Sequence, residues 1–290
     1  MGGGSQSPTH DPVSLLILGA GWTSTFLLPL LDTSSIRHAA TTRTGHDNTI
    51  PFTFDPSSDS VHPYQTLPSA STILITFPLK GHGQSKRLLE LYREVHGAKN
   101  DWVQLGSTGI WKGESWMDLN SPYDTENDRA VAEDELRSLG GCVLNLAGLY
   151  GGERQPKSWV PRVATSKAQV KAKGVLHLIH GADVARAIIA THRAFEASRE
   201  KVVGIRYMLT DVHVYDWWDL IQTWGKEARE KAKAMGIDES GLEYEKWVGE
   251  LMVEEGIRAL PRDMDKLGRR LDGRAFWEVM GSWPEMGRVR

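Results

Sequence analysis

A glycine turn at residues 19–22, GAGW, could hold a phosphate group. The preceding run SLLIL is typical of a strand, and a helical pattern follows. Gly19 permits a tight turn, and Gly21 lets a ligand approach the backbone because it has no side chain. Unpaired N–H groups at the start of a helix attract anions. The spacing G-x-G-x-x-S, with Ser24 third, therefore predicts a dinucleotide site that also includes Trp22 and Thr23. A glycine turn without any cofactor is the alternative.

The end of the second predicted strand indicates which dinucleotide would bind. An NAD site usually places a carboxylate there, but this strand ends in Thr42, Arg43 and Thr44. A guanidinium flanked by hydroxyls suits a 2′-phosphate, so we predict NADP(H) in preference to NAD(H). An ordinary surface arginine is the alternative. Asp55 and Phe77, at the ends of the next two strand-like runs, are expected to line the same site, although Asp55 equally suits an exposed turn.

The same region is long and uncharged enough for a transmembrane helix, but its residue types disfavour that interpretation. Residues 13–31 carry no charge over 19 positions, which is the length of a membrane span. Glycines, hydroxyl residues and Pro29 interrupt the run, and no second run of this kind follows. A strand, a turn and a helix are therefore expected here, with Pro29 kinking or shortening the helix.

Composition narrows the function classes. The chain has 290 residues with 34 basic and 37 acidic side chains, so a nucleic-acid surface spread over the whole molecule is not expected. Its one cysteine, Cys142, lies in an apolar run and is interpreted as a buried structural thiol. No His/Cys/carboxylate cluster has metal-ligand spacing. We expect a cytoplasmic protein with a small-molecule substrate, without membrane or nucleic-acid partners, and with a disordered tail at residues 1–12.

The order of predicted elements indicates an α/β fold. Strand-like runs alternate with helical patterns such as GQSKRLLELYREVHG and DRAVAEDELRSLG, which is typical of a doubly wound parallel sheet of the Rossmann type with helices on both faces. From residue 212 the sequence becomes charge-rich and amphipathic. We therefore predict a dinucleotide-binding domain over residues 13–211, with substrate-side insertions near 150–176, and a smaller, mainly helical cap over residues 212–290.

With these pieces assembled, residues 13–215 resemble an extended short-chain dehydrogenase/reductase, in particular its atypical NAD-dependent epimerase/dehydratase-like branch with a G-x-G-W opening motif. The resemblance rests on four segments: GAGW at 19–22, LGSTGIW at 105–111, LAGLYGGERQP at 146–156 and HLIHGADVARAI at 177–188. It implies a Rossmann fold and a nicotinamide cofactor. These motifs say little about the substrate.

The resemblance also implies catalytic residues, and here the sequence departs from the family. Ser107 and Thr108 match the hydroxyl residues that polarise the substrate oxygen. The family's Tyr-x-x-x-Lys pair does not match, because Thr125 stands at the tyrosine position and Arg129 at the lysine position. A threonine hydroxyl is far too weak an acid to replace that tyrosine. Tyr123 is a candidate replacement if its loop is rearranged, and a packed aromatic in a turn is the alternative.

Three further residues match the family's pocket segments. Tyr150 matches the aromatic that shapes the cofactor and substrate wall, and His180 and Asp183 match a pair that braces the loops around the substrate. For His180 we weigh bracing against proton transfer and favour bracing. Family dimers pair through helices that correspond here to residues 83–97 and 126–139, so a homodimer is one expectation.

Three functions stay open. The first is an NADP(H)-dependent oxidoreductase or epimerase-like enzyme acting on a small carbonyl or hydroxyl compound, with Ser107, Thr108 and Tyr123 or a water molecule near the reacting oxygen. The second is an inactive NADP(H)-binding sensor or scaffold, which the missing Tyr-x-x-x-Lys pair favours. The third is a non-redox dehydratase or isomerase that reuses the pocket. The surviving motifs favour an enzyme.

Overall fold

The computed structural model describes residues 11–289, and the predicted tail over residues 1–12 lies mostly outside them. The uncharged run at residues 13–31 forms a strand, a turn and a helix that contains Pro29. No helix among residues 11–289 is long and apolar enough to cross a bilayer.

The elements alternate along the chain as the sequence predicts. The strands are β1 (Val13–Leu18), β2 (His38–Thr42), β3 (Ile50–Pro51), β4 (Ala70–Ile75), β5 (Asp101–Ser107), β6 (Trp116–Met117), β7 (Cys142–Leu146), β8 (Gly148–Tyr150), β9 (Val175–Leu176), β10 (Leu178–His180), β11 (Arg206–Leu209), β12 (Tyr215–Asp216) and β13 (Arg270–Leu271). The helices are α1 (Ser24–Thr33), α2 (His62–Gln65), α3 (Gln84–His96), α4 (Asp128–Ser138), α5 (Val160–Val163), α6 (Lys167–Lys171), α7 (Gly181–Ala197), α8 (Trp217–Ala234), α9 (Tyr244–Glu254) and α10 (Arg274–Met280).

Seven parallel strands form the central sheet, in the order β11-β7-β5-β4-β1-β2-β3. In the register, Ile17 of β1 lies between Ala40 of β2 and Leu74 of β4. The chain runs outward from β1 to β3 and then returns to the other side of β1 as β4. This reversal opens a crevice at the carboxyl ends of β1 and β4, where ligands bind in doubly wound folds.

Strand β1 shows why the sheet is covered on both faces. Leu15 and Ile17 point into one core, with α1 and α7, while Leu16 and Leu18 point into the other, with α3. All four side chains are fully buried. Side chains alternate between faces along a strand, so an uninterrupted apolar run requires helices on both sides. The predicted α/β Rossmann-type fold is confirmed.

The chain after residue 212 packs in two places. Helices α8 and α9 share a core rich in tryptophan, including Trp217, Trp218 and Trp224, with the chain around α5 and α6. Helix α10 instead returns to the sheet, where Phe276 and Trp277 are buried in the core beside α7 and β11. The limits of the predicted domains remain a prediction.

Three predicted strands differ in extent from the observed ones. The run TIPFTFD pairs with the sheet only at Ile50–Pro51, and CVLNLAGLYG and GVLHLIHG each divide into two strands. Strands β8 and β10 pair with each other away from the main sheet. Local residue preferences indicate extended chain but do not indicate its partner, which is why the divisions were not foreseen.

Candidate functional site

The glycine turn follows β1 and leads into α1. Gly19 has φ +92°, and a Cβ there would lie 2.8 Å from the hydroxyl oxygen of Thr76, so the fold itself requires glycine at this position. Thr41 of β2 holds the turn: its hydroxyl accepts a hydrogen bond from Gly19 N at 3.0 Å, and its carbonyl accepts one from Ala20 N at 2.6 Å. Two N–H groups of the turn are therefore paired within the protein.

The next three N–H groups of the turn have no hydrogen-bond partner among residues 11–289. Within the part of the chain that the structure describes, the backbone nitrogens of Gly21, Trp22 and Thr23 donate no hydrogen bond. A Cβ added to Gly21 would meet no protein atom within 4 Å, and its φ is not in the left-handed region. Packing and backbone conformation therefore do not explain this glycine. An anion seated at the start of α1 would use both the free N–H groups and the open space.

A cavity of about 630 Å³ extends from the glycine turn across the end of β2, and we call it the ribose cavity. Arg43 and Thr44 line it together with His46, and no carboxylate from residues 11–289 lines it. The predicted residue Thr42 also lines it, but its buried hydroxyl is held within the loop, where it accepts from Gly45 N at 2.9 Å and contacts the hydroxyl of Thr49 at 2.7 Å. The cavity therefore presents a positive charge at the carboxyl end of β2.

Of two other predicted site residues, Phe77 lines this cavity and Asp55 does not. Phe77 lines it beside Phe54, with ring centroids 6.2 Å apart and planes nearly parallel. Asp55 does not line it. Its exposed carboxylate accepts hydrogen bonds from the backbone and hydroxyl of Ser57, at 2.9 and 2.6 Å, which also lowers its pKa. The structure thus places Asp55 in an exposed turn outside the cavity, since the short Ser57 contacts direct its carboxylate back to its own loop.

A second cavity of about 580 Å³ lies at the carboxyl ends of β4, β5 and β7, and we call it the arginine cleft. The structure brings Ser107, Arg129 and Thr23 together there. The Ser107 hydroxyl accepts a hydrogen bond from Gly109 N at 3.1 Å, which leaves its own hydrogen available for donation. Thr108 does not line the cleft: it is buried, and its hydroxyl donates to the Leu146 carbonyl at 3.3 Å. Of the two predicted hydroxyl residues, Ser107 is the one that faces the cleft.

Tyr123 does not reach the arginine cleft. Its hydroxyl donates to the carboxylate oxygens of Asp134 on α4, both at 2.9 Å, and its ring lies 4.4 Å from the guanidinium of Arg206 and packs against Trp111. The predicted role of Tyr123 in proton transfer is not supported by this placement. The loop keeps the packed arrangement because the aromatic ring and the carboxylate both find buried partners there.

A buried ionic network holds the backbone of Ser107 in place. Glu133 of α4 is fully buried, pairs with Arg206 at 3.0 Å, and accepts a hydrogen bond from Asn145 at 2.9 Å. Asn145 also donates to the Ser107 carbonyl at 2.9 Å. Burial raises the pKa of Glu133 even though its partners oppose the shift. Gly106 belongs to this network, because a Cβ there would come within 2.6 Å of the Asn145 side-chain nitrogen.

The three pocket-wall residues make structural contacts. The His180 ring lies between Tyr150 and Phe26, and its Nδ1 accepts from Ala182 N at 3.1 Å at the start of α7. Burial lowers the pKa of His180. Tyr150 donates to the Gly287 carbonyl at 3.2 Å. The structure brings these residues together, and it commits Nδ1 of His180 and the hydroxyl of Tyr150 to backbone groups of the protein.

Asp183 anchors the end of the described chain. Its fully buried carboxylate accepts hydrogen bonds from the backbone nitrogens of Glu285 and Met286, at 2.9 and 3.2 Å, and pairs with Arg186 at 3.0 Å. Asp183 therefore ties the C-terminal segment across the start of α7. All of these contacts are structural, and the bracing of a substrate pocket by His180 and Asp183 stays a prediction.

Sequence reasoning missed several residues of these cavities. Arg154 and Arg162 line the arginine cleft beside Trp159, and Thr41 organises the glycine turn. The guanidinium of Arg154 lies 4.4 Å from the centroid of the Trp22 ring, so it reaches from the GGERQP segment to the glycine turn. Two arginines close to the family-like YGG segment were the available signal. Among residues 11–289 no group of three or more His, Cys, Asp or Glu side chains could hold a metal ion.

Comparison with known proteins identifies the fold class. No protein-family model matches the chain, and no curated protein sequence matches it. Solved structures do match: a Methylobacillus flagellatus protein described as an NAD-dependent epimerase/dehydratase superimposes with a TM-score of 0.57 at 16% identity, covering 91% of this chain and 90% of that one. The chain has an extended short-chain dehydrogenase/reductase-like fold, which confirms the resemblance predicted from the sequence.

Two further structural matches hold nicotinamide cofactors. MoeE5 in complex with UDP-glucose and NAD has a TM-score of 0.60 at 14% identity, with 94% of each chain covered. Gre2 from Candida albicans in complex with NADPH has a TM-score of 0.52 at 11% identity, with 95% of each chain covered. At these identities the likeness establishes the fold, and both forms of the cofactor occur among the proteins that share it.

Proposed function

We propose that this protein binds a nicotinamide dinucleotide, with NADP(H) preferred over NAD(H). The observation that carries the proposal is the cradle at the start of α1: free N–H groups on Gly21, Trp22 and Thr23, beside an open Gly21, at the switch point of the sheet. Arg43 and Thr44 in the ribose cavity support the preference for a 2′-phosphate, since no carboxylate of the described part of the chain lines that cavity.

The residues present fit this cofactor along its length. The free N–H groups would hold the pyrophosphate, and Arg154, stacked on Trp22, would add a positive charge beside it. Phe77 and Phe54 would form an apolar wall at the adenosine end. Ser107 and Arg129 line the arginine cleft, which would receive the nicotinamide ribose. When bound, the nicotinamide ring would supply hydride transfer.

As a finer proposal, the chain is an oxidoreductase or epimerase-like enzyme acting on a small carbonyl or hydroxyl compound. The Ser107 hydroxyl, which faces the cleft, would donate a hydrogen bond to a substrate oxygen, and Asn145 fixes the Ser107 backbone. Arg129 would place positive charge near that oxygen as negative charge develops there. A guanidinium stays protonated near neutral pH, so a water molecule would carry the proton.

The first experiment is a calorimetric titration of the protein with NADPH, NADP⁺, NADH and NAD⁺. The proposal expects micromolar binding that favours the phosphorylated pair. Absence of binding by all four would contradict the cofactor proposal, and tighter binding of NAD(H) would contradict the preference. A panel of carbonyl and sugar-nucleotide compounds, followed at the NADPH absorbance, then tests turnover, with Ser107→Ala as the matched variant.

One observation favours a second candidate, a cofactor-binding sensor without catalysis. The residues lining the arginine cleft include no tyrosine, histidine, lysine or carboxylate, so among the described residues none of them titrates near neutral pH. A sensor would bind NADP(H) firmly and turn over no compound of the panel. The double variant Thr125→Tyr with Arg129→Lys would create the family's usual pair. Turnover that depends on the Ser107 hydroxyl would exclude the sensor.

A further inference from the structure

The arginine cleft carries an excess of positive charge that the protein does not neutralise. Arg129, Arg154 and Arg162 line it, and none of the three forms an ion pair with a carboxylate within the described residues. Some arginines elsewhere are paired, such as Arg199 with Asp101 at 2.7 Å and Arg262 with Asp216 at 2.6 Å. Three guanidinium groups around one cavity repel each other, and an entering anion relieves this repulsion.

The cofactor would account for part of this charge. Arg154 lies over Trp22 at the phosphate-binding turn, so a bound pyrophosphate is its natural partner. Arg129 lies at the start of α4, across from Ser107. Arg162 belongs to the short helix α5, after Trp159 in the chain, and has no assigned partner in the cofactor. The charge of Arg162 therefore remains for a second ligand.

The other side chains that line the cleft indicate the chemistry of the uncharged part of that ligand. Leu146, Leu149 and Pro78 line it together with Trp159, which presents a large half-buried indole. The polar side chains of Thr23, Thr76 and Ser107 complete the wall. Small-molecule sites typically combine apolar surface with placed polar groups of this kind. A ligand that satisfies both features has an apolar body and an oxyanion.

We infer that the substrate is a small oxo or hydroxy compound bearing an oxyanion, either a carboxylate or a phosphate, which the Arg162 guanidinium binds. The inference rests on the proposed function, because the oxo or hydroxy group is the part that Ser107 would contact. Planar guanidinium groups bind carboxylate and phosphate with two parallel hydrogen bonds, so both groups share one recognition chemistry. An amide of the same shape lacks the charge and is bound more weakly.

The test uses three probes that share an aromatic body: benzoate, phenyl phosphate and the neutral benzamide. Each is titrated by calorimetry into the full chain, at constant ionic strength, with and without saturating NADP⁺. We expect at least one anion to bind about tenfold more tightly than benzamide, the effect of one charge-assisted hydrogen bond. Whether benzoate or phenyl phosphate binds more tightly assigns the oxyanion.

Two variants locate the effect. Arg162→Gln is expected to remove the advantage of the anion while leaving benzamide and NADP⁺ affinities unchanged. Arg193→Gln removes the same charge from an exposed site on α7 that does not line the cleft, and is expected to keep the advantage. Thermal melting of each variant confirms that it is folded.

The outcomes separate this inference from the proposed function. Equal binding of benzamide and the anions, no binding of either anion at about 10 mM, or an anion advantage that survives Arg162→Gln would overturn the inference. If NADP⁺ fails to bind, the proposed function falls, and the titration without cofactor still decides whether Arg162 selects anions. If NADP⁺ binds and the probes show no preference, the inference falls alone.

Discussion

The variant Gly21→Ala tests whether the glycine at this position is required for ligand binding or for folding. The added Cβ meets no protein atom within 4 Å, and the residue has no left-handed backbone, so the fold tolerates the change. Alanine also restricts the unfolded chain, which stabilises the fold by up to about 0.4–1 kcal/mol. We expect a melting temperature that is unchanged or raised by about 1–4 °C.

Cofactor affinity should fall in the same variant. The methyl group would occupy the open space in front of the free N–H groups and weaken at least one charge-assisted hydrogen bond to the pyrophosphate. Such a bond contributes about 1.5–3 kcal/mol, which corresponds to a loss of about 10- to 150-fold in NADP(H) affinity. Calorimetric titration with NADPH, paired with a thermal melt of the same sample, measures both quantities.

Two glycine variants serve as controls. Gly19→Ala forces a side chain into a φ +92° backbone and against Thr76, so it should destabilise the fold by at least about 1–3 kcal/mol. Gly249→Ala lies within α9 in open space and should raise stability without changing cofactor affinity. Wild-type NADPH affinity in a folded Gly21→Ala protein would refute the assignment of this turn to the pyrophosphate.

Three further predictions concern Arg43, Tyr123 and His177, whose buried ring accepts a hydrogen bond from Leu271 N at 2.9 Å. Arg43→Ala should weaken NADPH binding by about tenfold or more while leaving NADH within about twofold, and an equal loss for both, measured by calorimetry, would remove the 2′-phosphate assignment. Tyr123→Phe removes the bond to Asp134 and should lower stability by about 0.5–1.5 kcal/mol with NADPH affinity unchanged; a large loss of affinity would bring Tyr123 back to the site. Burial lowers the pKa of His177 from 6.5 to about 4, so the neutral form that stabilises the fold is fully present above pH 6.5 and its contribution, about 3 kcal/mol, is lost as the pH falls through 4. Thermal melts over this range should show a smaller acid loss in His177→Gln, and identical pH profiles would contradict the assignment.

The glycine turn and the basic end of β2 could be predicted because their signals in the sequence are local. The apolar run, the glycine turn and the helix start at residues 13–33 are consecutive, and the Arg43 segment follows at the end of the next strand. In a parallel sheet such strand ends meet at one edge, so sequence order alone places them together. The helices α3 and α4 were predicted for the same reason, since a helix repeats its apolar positions over neighbouring residues.

The placement of the other candidate residues could not be predicted, because it depends on contacts between residues far apart in the sequence. Its position two residues before Thr125 made Tyr123 a candidate, but Asp134 and Arg206 hold it in a packed site. Asp55 was equally compatible with two roles until Ser57 was seen to occupy its carboxylate. Each outcome depends on a competition between partners, and the partners become known only when the chain is folded.

The sequence by itself determined the α/β architecture, the glycine turn and the basic, carboxylate-free end of β2, because periodicity and backbone needs are written in consecutive residues. The tertiary structure alone decided that Arg129, Arg154 and Arg162 face one cleft with Ser107 while Thr108 and Tyr123 do not. These residues come from separate elements, β5, α4, α5 and the loops around them. Their convergence is set by how the helices pack on the sheet, and spacing along the chain does not record that packing.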